Sequence, residues 1–136
     1  MIKNYILSGT DFSVAGEASS SFKAILKRLG VPAETVRRVA IAMYEAEINT
    51  IIHGGGGECE AEISGKEIRI TFRDEGPGIA NLDLAMQAGF STATDQIREL
   101  GFGAGMGLPN IKKYTDDMQI DTAPGKGTTH TLIINL

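Results

Sequence analysis

The sequence predicts an α/β protein, a two-layer sandwich with helices on one face of a mixed, mostly antiparallel sheet. Three observations carry that reading. Apolar residues recur at three- and four-residue spacing through two early segments and alternate with period two from Glu58 onward. The implied order of strand, two helices, hairpin, helix and hairpin gives each helix a sheet to cover. The 136 residues suit one domain, 1–136, of a size that buries about two-thirds of the surface exposed by its unfolded chain.

The elements follow in order. Ile2 to Ser8 mixes β-branched and aromatic residues as a strand does and ends at Gly9. A first helix is expected from Ser13 to Leu29, with Phe22, Ile25, Leu26 and Leu29 on its buried face and Gly30 as its stop. Val31-Pro32 opens a second helix, since proline is tolerated in a first turn, and its pattern runs from Ala33 to about His53. Two strands follow, one from Glu58 to Ile63 and one carrying Ile68, Ile70 and Phe72, joined by a turn at Ser64-Gly65-Lys66. A short helix is expected from Leu82 to Ala88, then an irregular stretch leading to a glycine run. The chain closes with a helix from Leu108 to Tyr114, a strand from Met118 to Asp121, a turn at Gly125-Lys126-Gly127 and a last strand from Thr128 to Asn135.

Bulk properties narrow the function. The net charge is −4, from 13 basic and 17 acidic residues, and the basic ones are scattered, whereas nucleic-acid binding needs Lys and Arg gathered along a phosphate track. No nucleic-acid partner is expected. A single cysteine, Cys59, excludes an internal disulfide and a CxxC metal pair. No secretory leader and no run of about 20 apolar residues is present, so the expected setting is cytoplasmic, with no membrane partner.

Four short segments carry the chemistry. In the second helix Glu45, Asn49 and His53 fall at i, i+4 and i+8 and share one stripe of a helix otherwise apolar nearly all round. That stripe is either the solvent edge of the helix or a site in which Glu45 is a base and Asn49 offers a hard oxygen to Mg²⁺, an ion that takes one or two protein ligands and completes its shell with water and phosphate. Glu47 lies roughly 200° round the helix from Glu45 and is expected to be a solvated surface charge.

Asp74 follows the strand ending at Phe72 and precedes a turn through Gly76-Pro77-Gly78. It is either the cap of an ordinary turn or an acceptor for the amino group of adenine, which guanine would meet with a carbonyl and leave unpaired. Glycines alternate from Gly101 to Gly107, a pattern unsuited to a helix or strand interior but able to line up backbone N–H groups for phosphate at the start of the next helix. The stretch Gly89 to Thr94 reads as a lid or as a loop without that duty. Arg98, Lys112 and Lys113 are candidate γ-phosphate contacts or plain surface charges, and Thr128 opens the final strand within reach of a base edge.

Together, Tyr44-Glu45-Ala46-Glu47-Ile48-Asn49-Thr50-Ile51-Ile52-His53-Gly54, Asp74-Glu75-Gly76-Pro77-Gly78-Ile79, the Gly101 to Gly107 run and Gly125-Lys126-Gly127-Thr128-Thr129 resemble the anti-sigma-factor and switch-protein serine kinases of the GHKL ATPase superfamily. The resemblance spans nearly the whole chain. It implies the Bergerat fold, the histidine-kinase-like ATPase sandwich, with ATP and Mg²⁺ as cofactors. It implies Glu45 as catalytic base and Asn49 as magnesium ligand. It places Asn49, His53, Asp74, Gly76, Gly78, Ile79, Gly103, Gly105, Met106, Gly107, Leu108 and Thr128 around the nucleotide, with Asp74 and Thr128 reading adenine.

The implied substrate is a serine or threonine on a STAS-domain anti-sigma-factor antagonist or switch protein. A phosphatase or a sigma factor, and a homodimer, are further expected partners. The compact Gly54 to Gly57 segment and the long glycine run are closer to the branch that phosphorylates switch proteins than to kinases that bind sigma factors. The rival expectation is a nucleotide-dependent binding module that switches partners without phosphoryl transfer. A third reading, the catalytic half of a histidine kinase or a piece of a chaperone-like ATPase, needs a phosphoacceptor or dimerisation domain for which the chain has no room.

Overall fold

The computed structural model describes residues 1–78 and 107–136. The expected helix from Leu82 to Ala88, the Gly89 to Thr94 stretch, Arg98, and the candidate site residues Ile79, Gly103, Gly105 and Met106 lie outside the described residues.

The described chain runs β1 (Ile2–Ser8), a 3₁₀ turn (Phe12–Val14), α1 (Glu17–Arg28), α2 (Ala33–Ile52), β2 (Gly56–Ile63), β3 (Glu67–Asp74), α3 (Gly107–Tyr114), β4 (Asp117–Thr122) and β5 (Thr128–Asn135). The strands form one five-stranded sheet in the order β1-β2-β3-β5-β4. Each pairing in it is antiparallel, in keeping with the mostly antiparallel sheet expected from the sequence. Chain order alone leaves open how β3 meets β5, and they are antiparallel neighbours at the centre of the sheet, from Glu67 opposite Asn135 to Asp74 opposite Thr128.

One face of the sheet meets the helices. Ala61, Ile68, Ile70, Phe72, Leu132 and Ile134 point from β2, β3 and β5 into a core completed by Phe22 and Leu26 of α1, Val36, Val39, Ala42, Met43 and Ala46 of α2, and Ile111 of α3. Phe22 and Leu26 are fully buried, each a gain of about 1.5–3 kcal/mol over exposure. Cys59 belongs to the same core, where burial pushes its thiol up to about 12 and makes it inert. Among the described residues no helix is long and apolar enough to cross a membrane.

Two expectations are corrected. The first helix does not begin at Ser13: the segment there is a 3₁₀ turn capped by Asp11, and α1 starts only after Gly16, whose φ of +96° lies where a side chain is strained. Glu47 is not a surface charge. It is 1% exposed, and its carboxylate accepts the N–H groups of Gly16 at 2.9 Å, Ala18 at 3.3 Å and Ser19 at 2.9 Å. These are the free donors at the start of α1, and Gly16 has no side chain with which to satisfy them. The cap that other helices carry in their own sequence is supplied to α1 by α2.

Candidate nucleotide site

The site is built along α2. Glu45, Asn49 and His53 are each half-buried, on the stripe that the spacing predicts. With a rise of 1.5 Å per residue the stripe extends about 12 Å from Glu45 to His53, where the helix ends. His53 is the C-cap residue, and its N–H bonds the carbonyl of Asn49 at 2.9 Å. Burial holds its imidazole below the usual histidine range, so it is neutral at pH 7.

Beyond His53 the chain passes directly under Asp74. A β-carbon added to Gly54 would stand 2.5 Å from the Asp74 carboxyl carbon, so the glycine is what lets the helix end approach the carboxylate. Gly76 donates its N–H to Asp74 Oδ1 at 3.0 Å, which turns the chain sharply and holds the side chain in place. Thr128 stands opposite Asp74 in the central pairing, and its hydroxyl is 2.9 Å from that of Thr122. The Gly76-Pro77-Gly78 turn packs on the β4–β5 turn: Gly125 N–H bonds the Pro77 carbonyl at 2.6 Å, and a β-carbon on Gly78 would collide with the Ala123 carbonyl. Asp74, Gly76, Gly78 and Thr128, separated by up to 54 positions in the chain, thus form one end of the site.

The other end lies where α3 begins. A β-carbon on Gly107 would stand 2.9 Å from both Nδ2 and Oδ1 of Asn49. Asn49 therefore lies against the start of a helix, where unpaired N–H groups and the helix dipole favour an anion. Leu108 sends its side chain into the core at 9% exposure, so its backbone N–H in the first turn of α3 is what it offers a ligand. Lys112 and Lys113 are exposed in the last turn of α3, with Lys113 Nζ 5.3 Å from the Tyr114 ring centre. They are on the opposite end of the helix from Gly107.

Burial raises the Glu45 carboxyl above the ordinary value, and a hydrogen bond from Asn110 opposes part of that rise. A carboxylate made more basic while still hydrogen-bonded is suited to accepting a proton near neutral pH. Sequence reading missed Asn110. The available signal was its position one turn into a helix whose first residue touches Asn49.

The residues present fit a purine triphosphate with magnesium. Asp74 and Thr128 provide an acceptor and a hydroxyl beside a glycine turn, the start of α3 provides backbone donors for phosphate, and Asn49, against that start and one turn along α2 from Glu45, provides a carboxamide oxygen. The fold defines the class, an α/β sandwich of the ATPase kind. The family model for the histidine kinase-like ATPase domain matches residues 11–134. The chain is 33% identical over 130 residues to the anti-sigma F factor of Thermoanaerobacter sp. (strain X514), covering 92% of this chain and 85% of that one. It is 31% identical over 108 residues to the serine/threonine-protein kinase RsbT of Bacillus subtilis (strain 168), covering 76% and 75%. Among solved structures, that of the RsbU and RsbW domains of Rv1364c from Mycobacterium tuberculosis matches with a TM-score of 0.66 at 18% identity, over 98% of this chain and 31% of that longer one, a likeness of fold. The chain belongs to the histidine kinase-like ATPase family and stands in it with the anti-sigma-factor and switch-protein kinases.

Proposed function

We propose that this chain is an ATP-dependent serine/threonine protein kinase of the switch-kinase type, which phosphorylates a hydroxyl of a STAS-domain antagonist protein and thereby sets which partner that protein binds. The observation that carries the reading is the half-buried stripe of α2, with a carboxylate raised by burial at Glu45 and a carboxamide at Asn49 set against the start of α3. A protein that only bound nucleotide would have no use for a base at that place. The relatives named for anti-sigma and serine/threonine kinase activity support the same reading.

In this mechanism Asp74 accepts a hydrogen bond from the adenine amino group, and the Thr128 hydroxyl donates one to a ring nitrogen. The N–H groups of Gly107 and Leu108 donate to phosphate oxygens, and Asn49 would hold Mg²⁺ by its carboxamide oxygen. Bound magnesium would neutralise phosphate charge. Glu45 takes the proton from the incoming serine or threonine hydroxyl, a contribution of about 10² to 10⁴ in rate, and Asn110 keeps its carboxylate oriented. Positioning and charge neutralisation do most of the work in phosphoryl transfer, which suits a site made of backbone donors and few side chains.

The test is transfer of labelled phosphate from ATP to candidate STAS-domain proteins, by the wild type and by Glu45→Gln. Transfer that is lost with Glu45→Gln, while ATP still binds, is the expected result. Nucleotide binding and partner exchange with no labelled product would replace the kinase reading by that of a switch without chemistry.

A further inference from the structure

Glu47 lies between Glu45 and Asn49 in sequence, yet it points to the other side of α2 and bonds three backbone N–H groups of residues 28–31 positions earlier. Its carboxylate is nine-tenths and more buried, and no Lys or Arg pairs with it among the described residues. A buried charge needs full satisfaction by hydrogen bonds, which restricts Glu47 to the one geometry in which Oε1 faces Ser19 and Oε2 faces Gly16 and Ala18.

An open groove of about 220 Å³ runs between β1 and the first turns of α1, lined by Tyr5, Leu7, Val14, Glu17, Ala18 and Glu47 among others. Next to this groove the carboxylate of α2 bonds the first N–H groups of α1. Gly16 adds a second constraint: its α-carbon is so close to Tyr44, the residue before Glu45, that a β-carbon would stand 3.1 Å from the ring. Beside the apolar packing of Phe22 and Leu26 on α2, the start of α1 is thus fixed to α2 at Tyr44 and Glu47, which flank the base.

We propose that Glu47 is a positioning residue for phosphoryl transfer: by tying α2 to the backbone at the start of α1 it fixes the rotation of α2 about its own axis, and so the direction of Glu45 and Asn49 on the opposite side. The proposal rests on the kinase reading for its rate effect, but the geometry it concerns is present without nucleotide. Rotation of a helix displaces side chains on both of its sides together, and a misplacement of about 1 Å at a reacting group costs about 10²-fold in rate.

The experiment compares wild type with Glu47→Gln, which is nearly isosteric but turns an amide donor toward N–H groups. Glu47→Asp, which keeps the charge and withdraws it by one methylene, is measured alongside, so that a fold lost in one variant is still examined in the other. The expected result is a drop of about 10²-fold in kcat per folded molecule, with Mg-dependent affinity for ATP weakened as Asn49 turns and affinity for nucleotide without Mg²⁺ changed about threefold or less, since Asp74 and the adenine end are not on α2. In the protein without nucleotide, the side-chain amide NMR signals of Asn49 and Asn110 shift in the variant. Lowered thermal stability with an unchanged kcat and unmoved Asn49 and Asn110 signals would show a purely structural cap and overturn the proposal. Should the wild type itself transfer no phosphate, the kinase reading fails by itself, and the two amide signals decide the role of Glu47: shifted they support it, unmoved they overturn it.

Discussion

Gly107 and Asn49 are in contact across two elements, the first residue of α3 against the carboxamide of α2, with room for no β-carbon between them. Gly107→Ala is expected to leave stability unchanged or raise it by up to about 1 kcal/mol, because alanine is favoured in a helix and the group it meets is the far end of a side chain. The displaced carboxamide is expected to lower magnesium-dependent nucleotide affinity about 10-fold or more. Calorimetric titration with ADP, with and without Mg²⁺, checks both arms. An equal loss in both would show that Asn49 is no metal ligand.

Glu45 carries opposite demands of stability and function. Its folded-state value is raised by burial, so its contribution to stability is present below the unfolded value and is lost as pH rises through the folded one. At pH 7 the ionised carboxylate is a cost. Glu45→Gln is therefore expected to unfold at a higher temperature than wild type at pH 7, at a similar temperature near pH 4, and to transfer no phosphate. Wild-type transfer should fall as pH decreases through the raised value, because the base must be ionised. Thermal melts at the two pH values and a pH–rate profile make the comparison.

Asp74 is held by Gly76 through one oxygen, Oδ1. Asp74→Asn puts a donor where the adenine amino group needs an acceptor. Discrimination between ATP and GTP, potentially about 10⁴ where a buried polar group would go unpaired, is expected to fall by about 10² or more. Competition titrations with the two nucleotides measure it. Equal wild-type affinity for both would remove the role given to Asp74.

His130 gives the fold a pH limit. It stands on β5 between Phe72 and Ile120, 6% exposed, and its Nε2 has no hydrogen-bond partner among the described residues. Burial pushes it down to about 4 from an ordinary 6.5. Because the folded value is depressed, the stability is intact above pH 6.5 and is lost as pH falls from 6.5 to about 4, by about 3 kcal/mol in all. His130→Leu should flatten that part of the stability curve, read by urea titrations from pH 7 to pH 4.5. An unchanged slope would mean that His130 keeps its proton acceptor satisfied.

The fold was legible in the sequence where one element decides its own form. Period-two alternation at Ile68, Ile70 and Phe72 and the Ser64-Gly65-Lys66 turn gave β2 and β3, and the i, i+4, i+8 spacing put Glu45, Asn49 and His53 on one stripe. What depends on a neighbour was not. Ser13 resembles a helix start, and only the left-handed Gly16 moves that start to Glu17. The helical angle of Glu47 was read correctly, but its surroundings were not, since a carboxylate opposite the site looks solvated until another helix end is placed over it. Asn110 was missed for the same reason. Its role depends on the approach of α3 to α2, which the spacing within either helix does not state.

The central position of β3 and β5 has a further consequence. Edge strands fray first, because they are hydrogen-bonded on one side, whereas Asp74 and Thr128 are on two of the three strands that have neighbours on both sides, β2 and β5 for one and β3 and β4 for the other. Local opening at β1 or β4 would leave Asp74 and Thr128 joined. Nucleotide specificity, where it rests on this proposed pair, should persist under mild denaturing conditions that already loosen the edge strands.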